Sequence, residues 1–331
     1  VVETVFLSNQ QRDFMKTQLW QHCCADSKSP LLMDTEDEEI DHFIGKSKSA
    51  VEHSFPEDGL RCLEALHDWT APTIAVVVKN LPRDPIIPSS DDQGTLQKPS
   101  FVMEGVIAAV GELTGPTQRL VGYAAEVTYS HPLFHVGTPK PTNAATHALA
   151  RATALSPHRD MARLPNDLSP EVLVLGALRR GYDSHVATTL VDNRDVVARL
   201  SKETRRILQL PLFYVETPQW LRKKGDDGTQ GEFQELMPLL VGNDSVAMQV
   251  DWNSVKGIDR QATNALQRLQ GSIASAPLKE IHLGDGDVLV FHNQRVLHGR
   301  SQYDEVRYDG YDRALMRGYF RSRQRGEGRI I

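Results

Sequence analysis

His158 and Asp160 stand two residues apart in Ser156-Pro157-His158-Arg159-Asp160, and His298 follows about 140 residues later in Arg295-Val296-Leu297-His298-Gly299. Two imidazoles and one carboxylate can hold a divalent metal on one face and leave its remaining positions open, the donor set of non-haem iron(II). In an extended segment, residues i and i+2 point to one side, so His158 and Asp160 can reach one ion while Arg159 points away. The pair taken alone also fits a solvated loop histidine beside a capping aspartate, because short motifs recur by chance.

What favours the metal is the chain that must deliver His298. Gly284-Asp285-Gly286-Asp287 reads as a tight turn, and Asp287 to Asn293 as a buried strand that feeds Val296-Leu297-His298-Gly299 after a short connection. Strand-like runs also cover Glu171 to Leu178, His185 to Val191, Leu212 to Thr217, Val246 to Asp251 and Arg313 to Phe320. Helical spacing marks 58 to 70, Phe101 to Leu113, Asn193 to Leu208 and Arg260 to Ile273, and Pro72 to Leu81 reads as a buried strand. The pattern predicts an α+β protein with a double-stranded β-helix (jelly-roll) core and flanking helices. We expect a single catalytic domain over 1–331, with a polar N-terminal extension over 1–55 and the jelly-roll core over 70–323. The Pro-, Ser- and Asp-rich stretch from Pro82 to Pro99 reads as a long loop of the kind that covers active sites.

Composition narrows the partners. The formal net charge of −6 gives no reason to expect nucleic acid or an anionic membrane, and a small molecule is the default ligand. Three cysteines make neither a disulfide framework nor a paired metal site, which fits a reducing cytoplasm. No run has the length of a membrane span, and no signal peptide or anchor is visible. Nothing in the sequence bears on oligomeric state.

The ordered set His158-Arg159-Asp160, Gly286-Asp287-Val288-Leu289-Val290-Phe291-His292-Asn293, His298-Gly299-Arg300, and Arg313 with Arg317 resembles the iron(II)/2-oxoglutarate-dependent dioxygenases. The branch is the one joining taurine dioxygenase to clavaminate synthase and its amino-acid hydroxylase relatives. Weaker agreement runs through Lys79-Asn80-Leu81-Pro82 and Gly122-Tyr123-Ala124-Ala125-Glu126, so the likeness spans about residues 70 to 323.

The resemblance implies that His158, Asp160 and His298 ligate iron(II). It implies that Arg313 pairs with the distal carboxylate of 2-oxoglutarate, where a planar guanidinium suits bidentate recognition. Thr189 corresponds to the family threonine that helps hold this cosubstrate, with Thr188 as the alternative, since neighbours on a strand face opposite ways. Dioxygen is the third reactant, and oxidative decarboxylation to succinate and CO2 accompanies oxidation of a C–H bond. Halogenase relatives replace the carboxylate ligand with a small residue, so Asp160 favours hydroxylation, although desaturation and cyclisation begin from the same hydrogen abstraction.

For the substrate, Arg317 matches an arginine that binds an anionic group and Glu126 falls where relatives face an α-amino nitrogen, a clamp suited to a free L-amino acid. Asp251 resembles the position that meets the substrate side chain, where an acid favours a basic or amide group; it equally reads as a strand-end turn former. A sulfonate, a peptide-bound residue or a natural-product scaffold stays open as substrate. His292 is expected in the core rather than on the metal, and Lys223 to Gly228 as an exposed loop.

Overall fold

The computed structural model describes residues 1–21, 37–68, 70–84, 101–115, 118–121, 134–137, 139, 153–162, 169–215, 236–241, 247–252 and 255–322. Residues 85–99 of the loop expected over Pro82 to Pro99, Glu126, and the 223–228 segment therefore lie outside the described residues.

Two runs of apolar residues without alternation, Val172–Arg179 and Val288–His292, are buried at every position. Strands of that composition need cover on both faces, and here they sit inside a seven-stranded sheet. Its order is Val2–Phe6, Ala75–Lys79, Val288–His292, Val172–Arg179, Ala314–Ser322 and Gln118–Val121, with Phe134–Gly137 also on Ala314–Ser322. A four-stranded sheet runs Leu278–Ile281, Thr188–Asp192, Val296–Arg300 and Leu155–His158. Pairing in both is antiparallel except for Val2–Phe6 beside Ala75–Lys79.

The pleat sorts side chains into layers. Leu173, Leu175, Leu289, Phe291 and Tyr319 of the larger sheet share one apolar cluster with Leu190 and Val296 of the smaller. Their neighbours Val174, Val290, Met316 and Phe320 pack outward with Val106, Ile107 and Val110 of the helix Phe101–Glu112. On the smaller sheet, Val191 and Leu297 turn outward to Val196, Leu208, Leu266 and Leu269 of the covering helices. Each such side chain contributes about 1.5–3 kcal/mol on burial, so the two-sheet arrangement rests on three apolar layers.

Turn and cap chemistry set the boundaries. Gly286 has φ 82°, which a side chain resists, and its N–H donates to Ala177 O at 2.8 Å, tying the predicted turn to the neighbouring strand. The helix expected over Asn193 to Leu208 is two helices, Asn193–Ala198 and Lys202–Leu208. The break falls at Ser201, whose hydroxyl accepts from Thr204 N and caps the second helix. Among the described residues of the run expected over Val246 to Asp251, the strand is Ala247–Met248, while Leu155–His158, Leu278–Ile281 and Val296–Arg300 are strands that the apolar pattern understates.

The N-terminal segment is more than a polar extension. Val2–Phe6 forms the edge of the larger sheet, and Met15, Leu19, Phe43 and Val51 from the helices Asn9–Leu19 and Asp37–Glu52 are buried in its outer apolar layer. Among the described residues, no helix is long and apolar enough to cross a membrane, and Cys62 is a free thiol.

Candidate active site

His298 and His158 lie directly opposite each other on adjacent strands, so their rings share a face, with centroids 4.4 Å apart. Close approach of these strands depends on Gly299: a Cβ there would meet Leu155 O at 2.4 Å and Thr189 Oγ1 at 2.9 Å. Phe291 backs the His298 ring at a centroid distance of 5.0 Å.

The His158 strand ends at His158, and Asp160 lies in a turn whose next residue, Met161, has φ 55°. Strand geometry alone therefore does not aim the carboxylate. Asn293 latches its backbone instead: the amide oxygen accepts from Asp160 N at 3.2 Å, and Nδ2 donates to Asp160 O at 3.0 Å and Pro170 O at 3.1 Å. Arg159 does point away, buried against Met248 O and the Ser169 hydroxyl.

Asp160 Oδ1 is 3.4 Å from His158 Nε2 and 3.8 Å from His298 Nε2, and the three donors lie within 4.8 Å of one another. Donors each about 2.0–2.1 Å from one ion sit about 3 to 3.5 Å apart at octahedral or tetrahedral angles, so this set fits a divalent metal with little adjustment. His158 Nδ1 lies 3.0 Å from Ser156 O, a hydrogen bond that fixes the tautomer with Nε2 as the free ligand atom. Asp160 Oδ2 accepts from Arg317 Nη1 at 2.7 Å and from Tyr319 OH at 3.1 Å.

Burial drives the Asp160 carboxyl upward, but the Arg317 guanidinium with both histidines outweighs it and holds the group well below the usual carboxylate range. Burial, with the His158 ring acting in the same direction, pushes His298 down to about 3, so its imidazole is neutral and able to ligate. Burial also works against a charged His158, yet the Asp160 hydrogen bond and charge raise it above its ordinary value. A metal between them would displace that proton.

Arg313 is buried, and its Nη2 donates to Thr188 Oγ1 at 2.9 Å. By register, Thr188 and Leu190 share the face of His298 and Arg300, while Thr189 lies opposite Gly299 on the other face. The structure thus puts Thr188, the alternative, at Arg313, and turns Thr189 away from it. Arg300 is buried close to Arg313; its guanidinium lies 4.2 Å over the Tyr303 ring and donates to Thr153 O. Two neighbouring buried guanidiniums make the local potential positive.

Asp251 is half-buried at the His158 end, where its charge acts on that imidazole. The segment is anchored there by Arg159 N donating to Val250 O at 3.0 Å and Trp252 Nε1 to Pro157 O at 2.7 Å. His292 is buried and faces His67, Arg295 and Arg159, outside the three-donor cluster. The sequence reading gave no role to Asn293, Arg300 or Tyr319. Tyr319 carried a usable signal, since it sits two residues beyond Arg317 on one strand and so shares its face.

The family model described as taurine catabolism dioxygenase TauD, TfdA family matches residues 106–319, more than half of the chain, and the chain belongs to that family. An L-lysine 3-hydroxylase from Catenulispora acidiphila is 30% identical over 217 residues, 64% of this chain and 57% of the relative, so the likeness spans just over half of that protein. The fold is similar to that of asparagine oxygenase in complex with Fe(II), 2S,3S-3-hydroxyasparagine and succinate, at TM-score 0.78 and 21% identity, covering 96% of this chain and 92% of that one. It is also similar to the non-haem iron oxygenase OrfP with Fe, succinate and (3S)-hydroxy-L-Arg, at TM-score 0.74 and 22% identity, covering 96% and 93%.

Proposed function

We propose that this protein is an iron(II)/2-oxoglutarate-dependent dioxygenase that hydroxylates a C–H bond of a free L-amino acid with a basic or amide side chain. The observation that carries this reading is the open-faced His158, Asp160, His298 cluster with the buried Arg313–Thr188 pair on the same side of the smaller sheet. We read the two facing sheets as the double-stranded β-helix of this family. The names of the similar proteins, hydroxylases or oxygenases of lysine, asparagine and arginine-type substrates, support the substrate class.

In this reading His158, Asp160 and His298 hold iron(II), which with 2-oxoglutarate and O2 supplies the oxidant, releasing succinate and CO2 as oxygen enters the substrate. Arg313, with the Thr188 hydroxyl, takes the distal carboxylate of 2-oxoglutarate, and Arg300 strengthens the local positive potential. Arg317 takes the substrate carboxylate and Glu126 its α-amino group. Asp251, beside His158, reads the side chain. The inter-sheet apolar cluster excludes water from the reacting end.

The test is to load the protein with iron anaerobically, then screen the proteinogenic amino acids for succinate and for a mass gain of one oxygen. Lysine, arginine, ornithine or asparagine should be the best substrates. Asp251→Ala should lower kcat/KM for them by about tenfold or more, from loss of a hydrogen bond to a charged group worth about 1.5–3 kcal/mol. Turnover confined to apolar amino acids would remove Asp251 from this role.

A further inference from the structure

Asp160 is the least securely placed of the three donors, because it lies beyond the end of its strand and next to a residue at positive φ. Its backbone is held by Asn293, but a carboxylate has one more freedom, rotation about its last bond. Unpinned, it can swing both oxygens onto the ion and take up a position that the cosubstrate or oxygen needs. In this structure Oδ1 faces the two histidines and Oδ2 faces Arg317 and Tyr319.

We propose that Tyr319 is a positioning residue for the metal centre: its phenol pins Oδ2 of Asp160, so that Oδ1 alone is offered to the ion. The inference rests on the reading of His158, Asp160 and His298 as an iron site. Arg317 cannot be the sole pin, because the same reading asks it to bind the substrate's carboxylate, and each N–H turned toward substrate is one fewer for Asp160. That reading gives Tyr319 no part in binding substrate. It is 1% exposed, its ring belongs to the apolar layer between the sheets, and strand pairing opposite Leu173 fixes where its hydroxyl lies. Residues that orient a metal ligand through its outer atom typically change metal affinity by about 10–100-fold when removed.

The experiment is an anaerobic Fe(II) titration of the full chain with wild type, Tyr319→Phe, Arg317→Gln and the double variant, followed by addition of 2-oxoglutarate and measurement of its visible charge-transfer band. Tyr319→Phe keeps the ring, and its thermal midpoint reports folding. Ser272→Ala, which removes a buried hydroxyl bonded to Val196 O on the outer helices, is the control for a merely structural loss. Tyr319→Phe is expected to weaken Fe(II) binding by about tenfold or more and to shift the band, with Ser272→Ala doing neither. The double variant should lose more than the sum of the singles, since two pins on one oxygen back each other up. Wild-type Fe(II) affinity and an unshifted band in Tyr319→Phe overturn the proposal, as do strictly additive losses or an equal loss in Ser272→Ala. His298→Ala binding Fe(II) as tightly as wild type would instead sink the iron-site reading itself, a separate failure.

Discussion

His292 and His298 lie on either side of the crossing from the larger sheet to the smaller, and both imidazoles are buried and pushed down to about 3. Burial is the main cause for each. What differs is the company: His292 meets His67, Arg295 and Arg159, and its Nδ1 accepts from Gln294 N at 3.3 Å. His298 meets a second imidazole and a carboxylate, with Nε2 turned to both. A neutral, buried histidine is thus only a ligand in waiting, and a convergent anion makes the site. In the other polar region, cations around a neutral ring make a packed core instead.

The strongest way to break this comparison is substitution of the two histidines in parallel. His298→Ala should weaken Fe(II) binding by more than about 100-fold, beyond the range for outer-shell changes, and abolish succinate formation, whereas His292→Asn should keep Fe(II) affinity within about twofold. Equal losses by anaerobic titration would erase the distinction. Next in size, Arg313→Leu leaves Thr188 facing an uncompensated anion, and the apparent affinity for 2-oxoglutarate should fall by about 30-fold or more.

A sharper test separates the two threonines. Removing one neutral hydrogen bond costs about 0.5–1.5 kcal/mol, so Thr188→Val should raise the 2-oxoglutarate KM by about 2- to 10-fold, with Thr189→Val unchanged. The reverse ranking would restore Thr189 as the cosubstrate contact.

The last effect is on stability. His292 titrates near 3 in the folded chain against an ordinary value of 6.5, so the unfolded state binds the proton more tightly. Its stabilising contribution is complete above about pH 6.5 and is lost as pH falls toward 3, at up to about 1.4 kcal/mol per pH unit. His67, also depressed by burial, acts in the same direction. Urea midpoints of the metal-free protein at pH 7.5, 6.5 and 5.5 should fall with pH, and His292→Asn should flatten that fall. An unchanged slope would mean that His292 is already protonated when folded.

Much of this arrangement was legible before any coordinates. Continuous apolar runs at 172–179 and 288–292 announce strands covered on both faces, and the apolar spacing from Arg260 to Ile273 announces the helix Arg260–Ser275. The His298 strand was harder to read, because His298, Gly299 and Arg300 interrupt its apolar pattern for reasons of chemistry and close approach. The polar N-terminal segment hid an edge strand, since its pairing with Ala75–Lys79 is settled by register across some 70 residues of chain.

The sequence by itself determined which donor types exist and that His158 and Asp160 stand two residues apart, a spacing that lets one ion bridge them. These are properties of residue type and local period. Only the tertiary structure decided that Thr188 rather than Thr189 meets Arg313, because the facing of a strand depends on its register with Val296–Arg300. It alone decided how Asp160 is aimed, because the strand stops at His158 and the direction comes from Asn293, Arg317 and Tyr319, each more than 130 residues away. Contacts over such separations leave no local period in the chain, and they exist only once the two sheets face each other.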